Sequence, residues 1–172
     1  MSRELYLLRH AKAALSAPAW GGRDSLRPLT PSGWKKMRKV AQGMRALELS
    51  FDLILTSPYL RARQTAQIVA EAWKLEKEVR VSAHLVPGAD PRKLIEELDH
   101  RHGSKQRLLL VGHEPSLGRI ISTLTCGAAP LSVAFKKAGL GKVVLAKAES
   151  SPRGTLEWLL TPGQLLILAQ AA

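Results

Sequence analysis

Short apolar runs recur along the chain at residues 5–8, 51–55 and 108–111. Runs of this length, bounded by polar and turn-forming residues, predict buried strands. The run at 108–111 is continuous, as in a strand covered on both faces. Between the runs the period lengthens. Trp34, Met37, Val40, Ala41, Met44 and Leu47 recur at helical spacing. Thr30 is placed as an N-cap with Pro31 at the first helical position, and Leu29 and Trp34 have the spacing of a hydrophobic staple. Thr56-Ser57-Pro58 repeats the cap-then-proline signal, and predicts a helix to about Trp73 with Ile68, Val69, Ala72 and Trp73 inward. Residues 79–83 predict a short strand. Residues 91–102 predict a helix with Leu94, Ile95 and Leu98 apolar. Another helix follows with Leu117, Ile120, Ile121 and Leu124 on one face.

Residues 143–148 and 156–160 predict a hairpin around Ser150-Ser151-Pro152-Arg153-Gly154, with Leu156, Trp158 and Leu160 alternating onto one face. Residues 17–22 are rich in turn formers and predict a loop. Strands alternating with helices predict an α/β fold: a three-layer sandwich with a mostly parallel central sheet, helices on both faces and antiparallel C-terminal strands. No repeat or linker divides residues 1–172, so a single domain is expected.

Charge narrows the partners. The chain has 26 Lys and Arg against 14 Asp and Glu, a formal net charge of +12. Such a field favours phosphorylated or otherwise anionic partners. Lys35, Lys36, Arg38, Lys39 and Arg45 form a basic face that reads first as a solvated helix surface. Aromatics are only 5% of the chain, which disfavours the stacking platform of a single-strand nucleic-acid binder. The lone cysteine, Cys126, has no metal-ligand spacing around it and reads as a small core residue. The apolar run at 165–169 is too short to span a bilayer, and no signal-peptide pattern opens the chain. A cytoplasmic, monomeric protein with no membrane partner is expected.

The chemistry gathers where the strands end. The first run ends at Arg9-His10. The second is followed within one helical turn by Arg61. The third ends at Gly112-His113. Arg63, two residues beyond Arg61, lies roughly 200° around the helix and cannot point to the same place. Parallel neighbouring strands would bring Arg9, His10, Arg61 and His113 to one edge of the sheet, where α/β proteins bind ligands. Two guanidiniums and two imidazoles suit a dianion such as phosphate. Helix N-termini just after Ser57 and Glu114 would add partial positive charge. There is neither a P-loop nor a dinucleotide-binding glycine pattern.

Three segments then resemble the motifs of the histidine phosphatase superfamily, in order and spacing: Leu7-Leu8-Arg9-His10-Ala11-Lys12, Ser57 through Ala66, and Val111-Gly112-His113-Glu114-Pro115. The short chain, Asp24 through Arg27-Pro28-Leu29-Thr30, Gly33 and the closing 158–162 segment resemble its small SixA-type phosphohistidine phosphatases. The resemblance implies that His10 is the nucleophile, forming a phosphohistidine that water hydrolyses. It implies that Arg9, Arg61 and His113 bind the phosphoryl oxygens, with Arg27 a further ligand. Arg9 and Arg61 are expected to lower the His10 pKa by like-charge repulsion. No metal and no cofactor is implied.

The sequence departs from the pattern in two places. Ala11 replaces the usual glycine, with Lys12 after it. The segment 82–87, where many members carry a general-acid carboxylate, has no Asp or Glu. His84 and Asp24 are the candidate acids, with a surface or packing role for His84 equally open. A missing acid disfavours phosphomonoesters, whose alkoxide needs a proton, and fits phosphohistidine on a protein. A phosphatase for a small phosphorylated metabolite, and a catalytically poor phosphate- or polyanion-binding protein, remain the alternatives.

Overall fold

The computed structural model describes residues 2–15, 21–127, 130–146 and 154–171. The expected loop at residues 17–20 and the hairpin turn at 150–153 lie outside them. The elements run β1 (Arg3–Arg9), α1 (Pro31–Ala46), β2 (Leu53–Thr56), α2 (Leu60–Trp73), β3 (Val79–Val81), α3 (Pro91–His102), β4 (Arg107–Gly112), α4 (Ser116–Cys126), β5 (Leu140–Leu145), β6 (Gly154–Leu160) and α5 (Pro162–Ala171). The six strands form one sheet in the order β3-β2-β4-β1-β5-β6. β1 to β4 are parallel, and β5 and β6 continue the sheet antiparallel.

The central strands are apolar at successive positions because both faces are covered. In β1, Tyr6 and Leu8 join one core with α1, α2 and α5, while Leu5 and Leu7 join the other with α3 and α4. Burying one such leucine contributes about 1.5–3 kcal/mol. Helix α1 starts as its sequence predicts. Thr30 Oγ1 accepts the Gly33 N–H at 3.0 Å, and Met37, Val40, Ala41 and Met44 face the core. The Thr30 N–H also donates to the Lys12 carbonyl at 3.0 Å. A Cβ on Gly33 would lie 2.2 Å from that carbonyl oxygen, so glycine lets α1 begin against the segment that follows His10.

Three expectations change. Helix α2 begins at Leu60, with Tyr59 at its N-cap and no side-chain cap, so Ser57 is free for other bonds. The one-faced alternation of Leu156, Trp158 and Leu160 is broken by a register shift: Lys142 pairs with Trp158 and Val143 with Leu156. The extra residue, Glu157, is a β-bulge that sends Leu156 to one core and Trp158 to the other. Cys126 is exposed, because it lies two residues, roughly 200°, from the inward Leu124. The apolar run at 165–169 is part of α5, which lacks a helical period. Its Leu165 is fully buried against α1, where a Cβ on Gly43 would lie 1.8 Å from the Leu165 carbonyl oxygen. Among the described residues no helix is long and apolar enough to cross a membrane.

Candidate active site

The carboxyl ends of β2, β4 and β1 are adjacent, and hydrogen bonds just beyond them keep the chain in register. The Ser57 N–H donates to the Val111 carbonyl and the His10 N–H to the Gly112 carbonyl, both at 3.0 Å. This places the His10 and His113 rings with centroids 4.9 Å apart. Both are buried, at 5% and 1% exposure. Arg61, in the first turn of α2, donates from Nε to His10 Nε2 at 3.2 Å. On the other side of the ring, His10 Nδ1 lies 2.8 Å from the Ala11 carbonyl. A carbonyl can only accept, so the proton is on Nδ1 and the Nε2 lone pair faces Arg61.

His113 Nε2 lies 2.9 Å from Ser57 Oγ. That oxygen accepts the Tyr59 N–H at 3.3 Å, which leaves it a second lone pair and its own proton to face His113 Nε2. His113 Nδ1 is buried and has no hydrogen-bond partner among the described residues. Arg9 Nε is likewise buried and unpaired, while its Nη1 donates to the Phe135 carbonyl. Buried polar nitrogens without partners are uncommon, and these two belong to residues beside His10.

Protonation is suppressed at both imidazoles. The His10 pKa is lowered to about 3, first by burial, then by Arg61, Arg9 and Lys137, against the opposing Ala11 hydrogen bond. That of His113 falls to about 2, through burial first and then His10, Arg61, Arg9 and Arg27. The direction expected for His10 holds, but desolvation outweighs like-charge repulsion.

Arg27 follows a 3-10 turn, Asp24–Leu26, and belongs to the cluster. Its Nε lies 3.1 Å from Asp24 Oδ1, an ion pair not aligned as a hydrogen bond. Asp24 also accepts from Arg61: Nη2 to Oδ2 and Nη1 to the backbone carbonyl, each at 2.8 Å. Arg63 instead lines a cleft with Gln64, Gln67 and Val81. His84 is not brought to the pair. It lies on the 3-10 turn Ala83–Leu85 and lines a cleft with Lys93, Glu96, Glu97, His100 and Arg101.

Several site residues escape the sequence reading. Thr65 accepts the Ala11 N–H at 3.1 Å and donates to the Arg61 carbonyl at 2.7 Å; its place four residues after Arg61 was a legible signal. Lys137, the Phe135 carbonyl and the Ser57 hydroxyl were not legible, because each depends on distant chain crossings. Glu114 is held by the Gly118 N–H at 3.2 Å, and burial raises its pKa against the pull of Arg9.

Comparison with known proteins agrees with this geometry. The sequence model of the histidine phosphatase superfamily (branch 1) matches residues 5–85. An uncharacterised protein of Picosynechococcus sp. is 38% identical over 80% of this chain and 82% of its own. The phosphohistidine phosphatase SixA of Escherichia coli is 28% identical over 94% and 96%. A solved structure of the protein histidine phosphatase SixA complexed with tungstate superposes with a TM-score of 0.81 at 28% identity, covering 94% of this chain and 99% of that one.

Proposed function

The chain belongs to the histidine phosphatase superfamily and is a phosphatase; from that premise we propose that it dephosphorylates phosphohistidine on a protein through a covalent intermediate on His10. The observation that carries the reading is the His10 ring. Burial and the neighbouring guanidiniums hold it neutral, its Nδ1–H is held by the Ala11 carbonyl, and its Nε2 lone pair accepts the Arg61 Nε–H, a bond it gives up on attack. Nε2 attacks phosphorus, and the P–N bond to the substrate imidazole breaks. The leaving nitrogen takes its proton from solvent. Water then attacks the phosphoryl group on His10, releasing phosphate and returning the lone pair to Nε2.

Arg9, Arg27 and Arg61 neutralise the phosphoryl oxygens, and His113, as the tautomer protonated at Nδ1, donates to one of them. Such prealigned donors stabilise the charge that develops in the transition state. The substrate follows from what borders the pocket. The segment after β3 supplies no carboxyl group, and its buried residues are Ser82 and Leu85. A leaving group that departs without a strong proton donor suits this arrangement, and the SixA name of two relatives points the same way. The test compares kcat/KM on a histidine-phosphorylated carrier protein with that on sugar phosphates. The reading expects the phosphoprotein to be preferred by on the order of a hundredfold or more, the scale of one missing general acid. Equal or better turnover of sugar phosphates would assign a metabolite phosphatase instead.

A further inference from the structure

All three nitrogens of the Arg61 guanidinium are engaged within the protein. Nε donates to His10, Nη1 to the Asp24 carbonyl and Nη2 to Asp24 Oδ2. The other carboxylate oxygen of Asp24 pairs with Arg27. The two oxygens of one carboxylate therefore span two of the arginines assigned above to the phosphoryl group. A phosphoryl group seated on His10 needs donors that Arg61 now directs elsewhere. Of its partners, one is the nucleophile and one a backbone carbonyl. Only the third moves easily: the Asp24 side chain is 48% exposed and sits on a three-residue 3-10 turn with no buried residue.

We propose that the Asp24 carboxylate is a placeholder ligand: it occupies the anion-binding arginines in the free protein and is displaced by the incoming phosphoryl group. In this role Asp24 is not the proton donor. It keeps Arg61 and Arg27 neutralised and aligned between turnovers, and its return competes with bound phosphate and speeds product release. The exchange is of one anion for another on the same guanidinium, so no bond forms or breaks beyond hydrogen bonds. The inference rests on the reading that this pocket takes a phosphoryl group.

Calorimetric titration with inorganic phosphate tests it on the whole protein. Asp24→Asn and Asp24→Ala are expected to bind phosphate roughly threefold to tenfold more tightly than the parent, the scale of a lost competing charge-assisted contact. Phosphate inhibition of turnover should deepen in parallel. Unchanged or weaker binding by both variants would overturn the placeholder and make Asp24 a positioning residue. A structure of the unmutated protein with phosphate bound gives a second readout that needs no variant. Asp24 Oδ2 should have left Arg61 Nη2, and a retained bond beside bound phosphate would overturn the inference. If the parent binds phosphate and only these outcomes fail, the placeholder alone falls. If neither parent nor variants bind phosphate, the phosphatase pocket falls with it.

Discussion

Two 3-10 turns border the imidazole pair and treat their polar side chains in opposite ways. The Asp24–Leu26 turn and the residue after it put Asp24 and Arg27 among the cations of the pocket. The Ala83–Leu85 turn runs beside the end of β4, where the Leu85 carbonyl oxygen would lie 3.5 Å from a Cβ on Gly112, and its Leu85 side chain joins the core with α3 and α4. Its polar groups turn away: Ser82 bonds Glu97, and His84 faces α3. One border is built to hold negative charge. The other offers the leaving group no acid. Under the proposed function, that asymmetry predicts a preference for phosphohistidine over phosphate esters.

The largest expected effect follows from burial of the imidazole pair, with the neighbouring guanidiniums adding to it. Both imidazoles have folded-state pKa values far below the ordinary 6.5. Between about pH 6.5 and pH 3 the unfolded chain therefore binds protons that the folded chain does not. Stability from these groups is complete above pH 6.5 and is lost as pH falls toward 3. Urea unfolding at pH 7 and pH 5 should give a lower free energy at pH 5. His10→Gln with His113→Gln should flatten that slope, and a slope unchanged in the double variant would contradict the buried neutral pair.

A smaller effect separates the two borders directly. Arg27→Ala should lower kcat/KM on a phosphohistidine protein by on the order of a hundredfold. His84→Ala should change it by less than about twofold, since removing a true general acid costs about 10²–10⁴. A large loss in His84→Ala would make the second border catalytic and undo the contrast.

Much of the fold was legible because both of its periods are plain in the sequence. The central strands read as continuous apolar runs, and α1 carries its cap, its proline and its inward stripe. Helix α5 was missed because Leu165-Leu166-Ile167-Leu168 is apolar all round and gives no period. The bulge at Glu157 was missed because alternation alone does not reveal an extra residue. Within the site, His10, His113 and Arg61 were legible because adjacent parallel strands must end at one edge. The cation–carboxylate pairing of Asp24 was not, since both its guanidinium partners are fixed by tertiary packing. His84 illustrates the converse: its position in the sequence suggested an acid, and the turn that carries it points elsewhere.

The central claim is that His10 carries the phosphoryl group during turnover. Brief exposure to a phosphohistidine protein, followed by quenching in alkali and mass spectrometry of the digested chain, reads it directly. The account predicts one phosphoryl group on the peptide containing His10, bound at Nε2, absent from His10→Ala, which should also lose turnover. Full activity in His10→Ala, or turnover with the label found elsewhere and never on His10, would contradict it.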